Sequence, residues 1–505
     1  MIPFIDPMLN RITMYRLVLY YVGALLLAAF GFGFVQLVPH DPTALAFSGV
    51  IILGTCWAAN RLFAEILDVP VNSESVMITA IILALIIPPV VASNLMGIAG
   101  LVLASVSAIA GKFLIAYRRR HIFNPVALGV AVSAVLIDQP ATWWVGGNMA
   151  LASIVLIGGL LVVRKVQRFD MLGAYIAANL AITLLTTSPE NWLEAISQTF
   201  LSSPLLFAGF AMLTEPLTAP QAVWPRIAYG AIVGALSSPN VHIGAWYLTP
   251  EQAFLFGNAF AFAISREGRH KLTLHAVEKM AEGCYDFIFH SDRKLAFRPG
   301  QYMDWTLDVD HADERGNRRP FTIASAPTED KVRLGVKFYP QPSAFKRNLA
   351  GMRPGDVIYA SHVAGHFTLP QKQDEKLVFI AGGIGITPFR SMVQDMLHRQ
   401  DKRDAILLYG NNTVEDIAYF DLFSEAESTL GLRTIYALAQ NKVAGRNVHT
   451  GFIDEALIRR EIPDFSERTF YLSGPHAMVV KFQKTLRDLG VPRRAIKVDY
   501  FPGFA

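Results

Sequence analysis

The stretch KLVFIAGGIGITPFRSMVQDMLHR, residues 376–399, decides how the second half of the chain is read. The apolar run LVFIA stops at Gly382-Gly383-Ile384-Gly385 and gives way at Thr387-Pro388 to a segment with helical spacing. Strand, glycine loop and helix in that order aim backbone amides and a helix N-terminus at one point, a geometry that receives a pyrophosphate. A glycine loop alone is a weak signal, but its place between strand and helix strengthens it. Further on, AILLYGNN (405–412) and the helical DIAYFDLFSEAES (416–428) repeat the alternation, so residues 375–505 read as an α/β nucleotide domain around a parallel, doubly wound sheet.

Working backward, the linker QKQDEK (371–376) precedes this domain, and before it the pattern changes. From about residue 268 the chain runs in short alternating strands bounded by Gly, Pro, Asn and Asp, as in KLTLHAVEKMAEGCYDFIFHS (271–291). That period-2 alternation predicts an antiparallel β-barrel over residues 268–374.

Residues 1–267 are of another kind. Of the 45 Lys/Arg and 41 Asp/Glu in the chain, residues 1–265 hold only 11 of each. A charge density that rises more than threefold at one point implies two solvents, lipid and then water. About ten membrane spans are expected, near 13–36, 43–64, 75–91, 96–116, 122–137, 148–164, 171–187, 199–214, 225–239 and 249–266. The connections after even-numbered spans carry Arg61, Arg118-Arg119-Arg120, Arg164-Lys165 with Arg168, Arg226, and finally Arg266, Arg269 and Lys271. Those after odd-numbered spans, around 37–44, 88–96, 138–148, 188–199 and 239–249, carry no Lys or Arg. The positive-inside rule then puts both termini in the cytoplasm, as for a multi-pass protein of a bacterial inner membrane. The first apolar run has no cleavable signal layout and is expected to remain as an anchor. The whole is a multi-domain membrane protein: a helical half, a barrel and a nucleotide domain.

Composition also narrows the chemistry. Two cysteines, Cys56 and Cys284, cannot supply a four-thiolate iron–sulfur cluster or a zinc site. The helical half has His40, His121 and His242, two of them in loops, which excludes a stacked bis-histidine haem pair; no metal site is expected. A net charge of +4, with its basic residues placed as they are, reports membrane orientation and no nucleic-acid binding. Three polar clusters gather on the cytoplasmic side of the helical half: Asn72 to Ser75, His121 with Asn124, and Thr214-Glu215 with Thr218. Polar groups at membrane depth normally face the bundle interior or a cofactor. Taken singly, each cluster reads equally as helix caps and turns.

The barrel carries Pro299-Gly300-Gln301-Tyr302 and then Arg319-Pro320-Phe321-Thr322-Ile323-Ala324-Ser325. With the glycine loop, which has the form GGxGxTP, these motifs make residues 268–505 similar to the ferredoxin–NADP reductase superfamily. The resemblance implies FAD in the barrel and hydride transfer from NADH or NADPH. It implies that Arg319 pairs with the flavin pyrophosphate, that Phe321 stacks on the isoalloxazine where Tyr is usual, and that Thr322 hydrogen-bonds the N5 edge. Tyr302, Pro320, Ser325, Val336, Lys337, Ser343 and Phe367 complete the implied flavin site, with Gly365-His366-Phe367 closing the barrel. For the nucleotide it implies Gly382, Gly383, Gly385, Thr387, Pro388, and Ser473-Gly474-Pro475 with Met478. Ser473 stands where the family places a Cys beside the nicotinamide, and hydride transfer is expected to survive at a lower rate. The C-terminal VDYFPGFA offers Phe501 or Phe504 as an aromatic cover for the flavin face, or as a tail packed on the domain. Asn411-Asn412 lacks the charge that a 2′-phosphate attracts, which leans toward NADH.

HIFNPVALG (121–129), TEPLTAP (214–220) and SVMITAIILALIIPP (75–89) resemble the family of membrane proteins that includes NqrB of the sodium-pumping NADH:quinone reductase and RnfD of the Rnf complex. The resemblance covers roughly residues 70–265 and implies a flavin held in the helices. The family's Ser/Thr-x-Ala-Thr attachment motif is replaced here by FDMLGAYIAAN (169–179), so non-covalent FMN or riboflavin is expected, near His121, Asn124, Thr214, Glu215 and Thr218. Joined, the halves imply an electron path from cytosolic NAD(P)H through FAD to the membrane flavin and on to an extracytosolic flavoprotein. A quinone reductase and a redox-sensing transporter are the alternatives.

Overall fold

The structure is a computed structural model that describes residues 9, 12–67, 73–117, 120–220, 222–264, 269–307, 309, 317–440 and 447–501. These fall into two compact units, one ending before residue 269 and the other beginning there.

The first unit is helical: α1 (Met14–Phe34), α2 (Pro42–Leu67), α3 (Ser73–Ile86), α4 (Leu95–Leu114), α5 (Pro125–Ile137), α6 (Ala152–Val166), α7 (Phe169–Leu185), α8 (Trp192–Leu201), α9 (Leu205–Ala211), α10 (Val223–Leu236) and α11 (Pro250–Ile264). Side-chain caps set several starts. Thr13 accepts from the Arg16 N–H at 3.2 Å, and Asn94 accepts from the Gly97 N–H at 2.9 Å. Among the described residues, α1, α2 and α4 are long and apolar enough to cross a membrane by length and composition. Others, such as α3, α5, α7 and α10, are apolar but shorter.

One expected span takes a different form. The segment 199–214 is not a continuous helix, because α8 stops at Leu201 and α9 begins only at Leu205. Pro204 offers no N–H and biases the residue before it away from helix. Ser203 uses the break: its hydroxyl donates to the Thr199 carbonyl and accepts from the Leu205 N–H. Elsewhere the helices approach closely. A Cβ on Gly234 of α10 would lie 2.1 Å from the Tyr175 carbonyl of α7, and one on Gly230 would lie 2.4 Å from the Met171 carbonyl. Small residues permit this contact, and the Asn179 amide donates to the Gly234 carbonyl across it at 3.1 Å.

The second unit holds two sheets. The first contains β1 (His270–Ala281), β2 (Cys284–Ser291), β3 (Tyr302–Thr306), β4 (Arg318–Thr322) and β5 (Val332–Lys337), then α12 (Ala344–Ala350) and β6 (Val357–Ala364). Its strands run antiparallel in the order β4-β3-β6-β1-β2-β5 around a core that includes Phe289, Met303, Trp305 and Leu334. The end strands are drawn toward each other by the Ala324 N–H, which donates to the Arg333 carbonyl at 3.0 Å, giving the barrel-like curl. The second sheet contains β7 (Leu377–Gly382), α13 (Thr387–Arg399), β8 (Ala405–Asn411), α14 (Phe420–Leu430), β9 (Arg433–Leu438), β10 (Val448–Thr450), α15 (Glu455–Glu461), β11 (Thr469–Pro475), α16 (His476–Asp488) and β12 (Ile496–Phe501). All its pairs are parallel, in the order β10-β9-β8-β7-β11-β12. The chain winds one way from β7 through β8 to β10 and then the other way to β11 and β12, so a topological switch lies between β7 and β11.

The amino edge of this parallel sheet is tied by ions. Arg468 holds Asp404 with two hydrogen bonds of 2.8 Å and Asp464 with one of 2.7 Å, while Lys376 donates to Asp464 at 3.0 Å and to Glu467 at 2.7 Å. Arg468 beside it holds the Asp464 carboxyl down to about 2 against the opposing effect of burial, and Lys376 adds to the depression. A depressed carboxylate contributes stability above its unfolded pKa, and that contribution is lost as the pH falls through its folded value. The Asp464→Asn variant should therefore be less stable than wild type near neutrality by at most about 1 kcal/mol, since the pair is partly solvated. Thermal unfolding of the full chain across the window from about pH 4 to 2 should show a shallower pH dependence in the variant. An unchanged slope would remove Asp464 from the account.

Candidate functional site

Because β7 and β11 pair with Ala381 opposite Ser473, the glycine loop after β7 and the Ser-Gly-Pro turn ending β11 leave the sheet side by side. The two are interlocked. A Cβ on Gly385 would lie 2.5 Å from the Ser473 carbonyl and 2.6 Å from the Gly474 Cα. One on Gly382 would meet the Met478 sulfur at 2.3 Å. Gly383 takes φ +52°, which glycine adopts without strain, and faces open space. Tyr409 braces the loop from below, donating to the Gly383 carbonyl at 3.2 Å and accepting from the Ala418 N–H. Thr387 starts α13 and donates to the Ile384 carbonyl at 3.2 Å, with Pro388 in the first turn where its missing N–H costs nothing. Ser473 is fully buried, and its hydroxyl has no hydrogen-bond partner among the described residues. Such a group costs about 1–3 kcal/mol until something polar reaches it. Phe501 ends β12 opposite Pro475, so its backbone lies at the same edge. Its side chain and Phe504 fall outside the described residues.

In the barrel, β3 and β4 pair with Tyr302 opposite Thr322 and Met303 opposite Phe321. The strand β4 is an edge strand, which is why Pro320 is tolerated within it. Alternation divides the expected flavin residues between its two faces. Arg319 and Phe321 point one way and converge on Phe345 of α12, with the guanidinium 5.5 Å and the Phe321 ring 5.8 Å from that ring. Thr322, buried, and Tyr302, partly exposed, share the other face. A planar group laid across an edge strand can meet both. Ser343 caps α12 by accepting from the Lys346 N–H at 3.4 Å. Lys337 is committed to Asp416 at 3.1 Å; burial works to lower its pKa, but that hydrogen bond and the nearby Cys284, Asp416 and Tyr339 together raise it.

Three expected flavin residues also make contacts that hold the fold. Val336 lies in the barrel core. Phe367 packs between Phe389 and Tyr471, with ring centroids at 5.7 and 5.2 Å. Ser325 accepts from the Arg333 N–H at 3.2 Å, and its carbonyl accepts from Ser391 at 2.7 Å.

In the helical unit, a single carboxylate gathers the polar clusters. Glu215 meets His121 Nε2 at 3.1 Å and accepts from the Asn124 amide at 2.8 Å and from Thr218 at 3.3 Å. Asn124 also caps α5, accepting from the Ala127 N–H at 3.1 Å, and its own N–H donates to Asn258 at 2.8 Å. Asn258 in turn donates to the Tyr229 hydroxyl at 3.1 Å. Thr214 stands apart, its hydroxyl spent on the Phe210 carbonyl at 2.7 Å. Arg120 donates to the Leu217 carbonyl, and a small open pocket beside the cluster is lined by Tyr117, Arg120, His121, Leu217, Thr218 and Phe262. The third cluster has its own partners among the described residues. Ser75 accepts from Lys112, Glu74 pairs with Arg16 at 3.1 Å, and Asn72 falls outside the described residues.

Residues 379–484 match the oxidoreductase NAD-binding domain family, and residues 141–272 match the NQR2, RnfD, RnfE family. The nucleotide lobe is an oxidoreductase NAD-binding domain. It follows a domain of the NQR2, RnfD, RnfE family. A flavohemoprotein of Candida albicans is 29% identical over 213 residues, 40% of this chain and 50% of the relative. An NADPH oxidoreductase of Mycobacterium tuberculosis is 26% identical over 203 residues, 39% of this chain and 50% of the relative. The chain spans about half the length of these relatives. The flavohem-like FAD/NAD-binding domain of nitric oxide dioxygenase from Vibrio cholerae aligns with 46% of this chain and 98% of its own, at 19% identity and a TM-score of 0.42.

The NAD-binding domain thus brings Gly382, Gly385, Ser473, Gly474 and Met478 into one site, with Pro475 in the same turn. Tyr409, Phe345 and Asn258 carry no signal in the sequence, since each acts through a contact with residues distant along the chain. Gly385→Ala forces the two loops apart and should weaken NADH binding by about tenfold or more, as a misplaced loop does when positioning is lost. Titration of the full chain with NADH measures this, and an unchanged affinity would separate the interlock from binding. Glu215→Ala leaves His121, Asn124 and Thr218 without their shared acceptor and should destabilise the helical unit by about 1–3 kcal/mol for each buried donor stranded. An unchanged thermal midpoint in detergent would show the cluster to be solvated.

Proposed function

We propose that this chain is a membrane-bound NAD(P)H-dependent flavin oxidoreductase. Its reductase half takes hydride from cytosolic NADH or NADPH onto FAD, and electrons pass to a second flavin, FMN or riboflavin, in the helical half and on to an extracytosolic flavoprotein. The observation that carries the reading is the interlocked pair of loops at the sheet's switch point, together with an edge strand bearing Arg319, Phe321 and Thr322 whose continuation at Ala324 and Ser325 is hydrogen-bonded to the helix after the glycine loop. The donor set fits FAD. Arg319 is suited to the pyrophosphate, where a guanidinium fork matches paired anionic oxygens. Phe321 offers a stacking face, and Thr322 and Tyr302 offer hydroxyls. When bound, FAD supplies the ability to accept a hydride and to release electrons one at a time.

The chain's own residues do the rest. The 382–385 loop and the α13 N-terminus bind the dinucleotide phosphates, and Gly474-Pro475 keeps backbone low enough for the nicotinamide to lie flat. Ser473 Oγ lacks a partner among the described residues, which supports a role in orienting a polar group of that ring. In the helical half, His121, Asn124, Glu215 and Thr218 are the groups that would hold the second flavin. About ten spans, with both termini in the cytoplasm, are supported by the one-sided distribution of Lys and Arg.

Purified full-length protein is expected to contain two flavins per chain, one of them FAD. In sealed vesicles with NADH on the reductase side, an impermeant dye on the far side should be reduced. One flavin per chain would overturn the second site. Consumption of added quinone with the dye untouched would replace the outward path with quinone reduction, and neither reaction would leave a sensor or transporter.

A further inference from the structure

The second unit buries a set of charges that hydride chemistry does not itself require. Asp286 on β2 has a fully buried side chain and accepts from Arg333 of β5 at 2.8 Å. Arg333 Nε faces Glu329 at 3.6 Å, and Glu329 accepts from both ends of the Arg390 guanidinium, one of them at 2.9 Å, and from the Ala326 N–H at 2.6 Å. Arg390 belongs to α13 and is almost fully buried. It also donates to the Ala324 carbonyl at 3.0 Å, while its neighbour Ser391 donates to the Ser325 carbonyl at 2.7 Å. Above this set lies the Tyr419 ring, 5.7 Å from the Arg390 guanidinium. Its hydroxyl presses on Gly335, the residue opposite Asp286, so closely that a Cβ there would lie 2.8 Å from it and 2.7 Å from Thr387.

We infer that Arg390, Ser391, Glu329 and Arg333, seated on Asp286, form a rigid joint that fixes the nicotinamide's distance from the flavin, and are positioning residues for hydride transfer. Position in the chain carries the argument. Ala324 and Ser325 are the second and third residues after Thr322, the proposed N5 neighbour. Arg390 and Ser391 are the third and fourth after Thr387, which opens the helix proposed to receive the pyrophosphate. The joint therefore ties the continuation of the flavin strand to the first turns of the nucleotide helix with two short hydrogen bonds and a two-pronged ion pair. Apolar packing would hold the two lobes together at least as stably, because desolvating charges offsets much of their attraction. What directional bonds add is a fixed geometry. A misplacement of about 1 Å can cost a reaction about 10²-fold. Exposed Glu278, 3.3 Å from Arg333, completes the charge set on the solvent side.

The inference rests on the hydride-transfer reading above, and one experiment separates them. Bound FAD in the full-length protein is reduced in a stopped-flow instrument by saturating NADH and by NADH deuterated at the transferred position. For Arg390→Met the rate per bound FAD should fall about tenfold or more, with a larger deuterium isotope effect, while the NADH concentration for half-saturation moves by less than about threefold. Arg390→Lys should recover part of the rate. Ser391→Ala, which removes one hydroxyl from a buried site and should fold, should slow the step by about threefold and raise the isotope effect. If the variants lose FAD or thermal stability while the rate per remaining FAD and the isotope effect stay at wild-type values, the joint is only a staple and the inference fails. If wild-type FAD is not reduced by NADH at all, the functional reading falls and the joint's role with it.

Discussion

The seat of Gly385 against the Ser473 carbonyl is the contact on which the reductase half depends. Two parallel strands distant in sequence deliver their loops to one edge, and only hydrogen atoms at positions 382, 385 and 474 let those loops close on each other and on Met478. Any side chain at Gly385 would have to displace backbone, which yields far less readily than the end of a flexible side chain. The strand LVFIA is fully buried and carries the loop without play. Tyr409, Thr387 and Gly335 then hand that position on to the barrel, so the glycine loop and the barrel strands share one frame.

The helical unit solves a different problem. Its polar residues must be satisfied without bulk water, and Glu215 does this by serving three donors with two oxygens. Asn124 is the hinge of that arrangement, because its side chain caps a helix and reaches Glu215 while its backbone reaches Asn258. The close α7–α10 contact uses the opposite means, small residues and a side-chain bond to a backbone carbonyl. Each is a way of lowering the cost of polar groups in a greasy interior.

Much of this is legible in the chain. The switch from alternating to strand–helix periodicity marks the two sheets, and the motif order puts the glycine loop and the Ser-Gly-Pro turn at the carboxyl ends of their strands. Hydropathy locates the apolar segments, but an average over a window cannot register what one Pro204 does after two serines. The cluster at Glu215 is legible as three polar groups, two of which meet; their common acceptor needs tertiary structure. The packing of Phe367 between Phe389 and Tyr471, and of Val336 in the barrel core, is likewise set by partners distant along the chain. Asp286 and Arg390, far apart along the chain, carry no local signal at all. Long-range ionic pairing of this kind is the information that periodicity cannot hold.

The parallel sheet also keeps its ion network and its ligand loops at opposite ends. Arg468, Asp404, Asp464 and Lys376 clamp the edge where strands begin, and the glycine and Ser-Gly-Pro loops occupy the edge where they finish. Residues at the finishing edge outside the interlock of Gly382, Gly385 and Gly474 can therefore be exchanged with little damage to the fold. A lineage could retune what this edge binds by a few substitutions at exposed strand tips, because much of the scaffold's cohesion resides at the far end of the same strands.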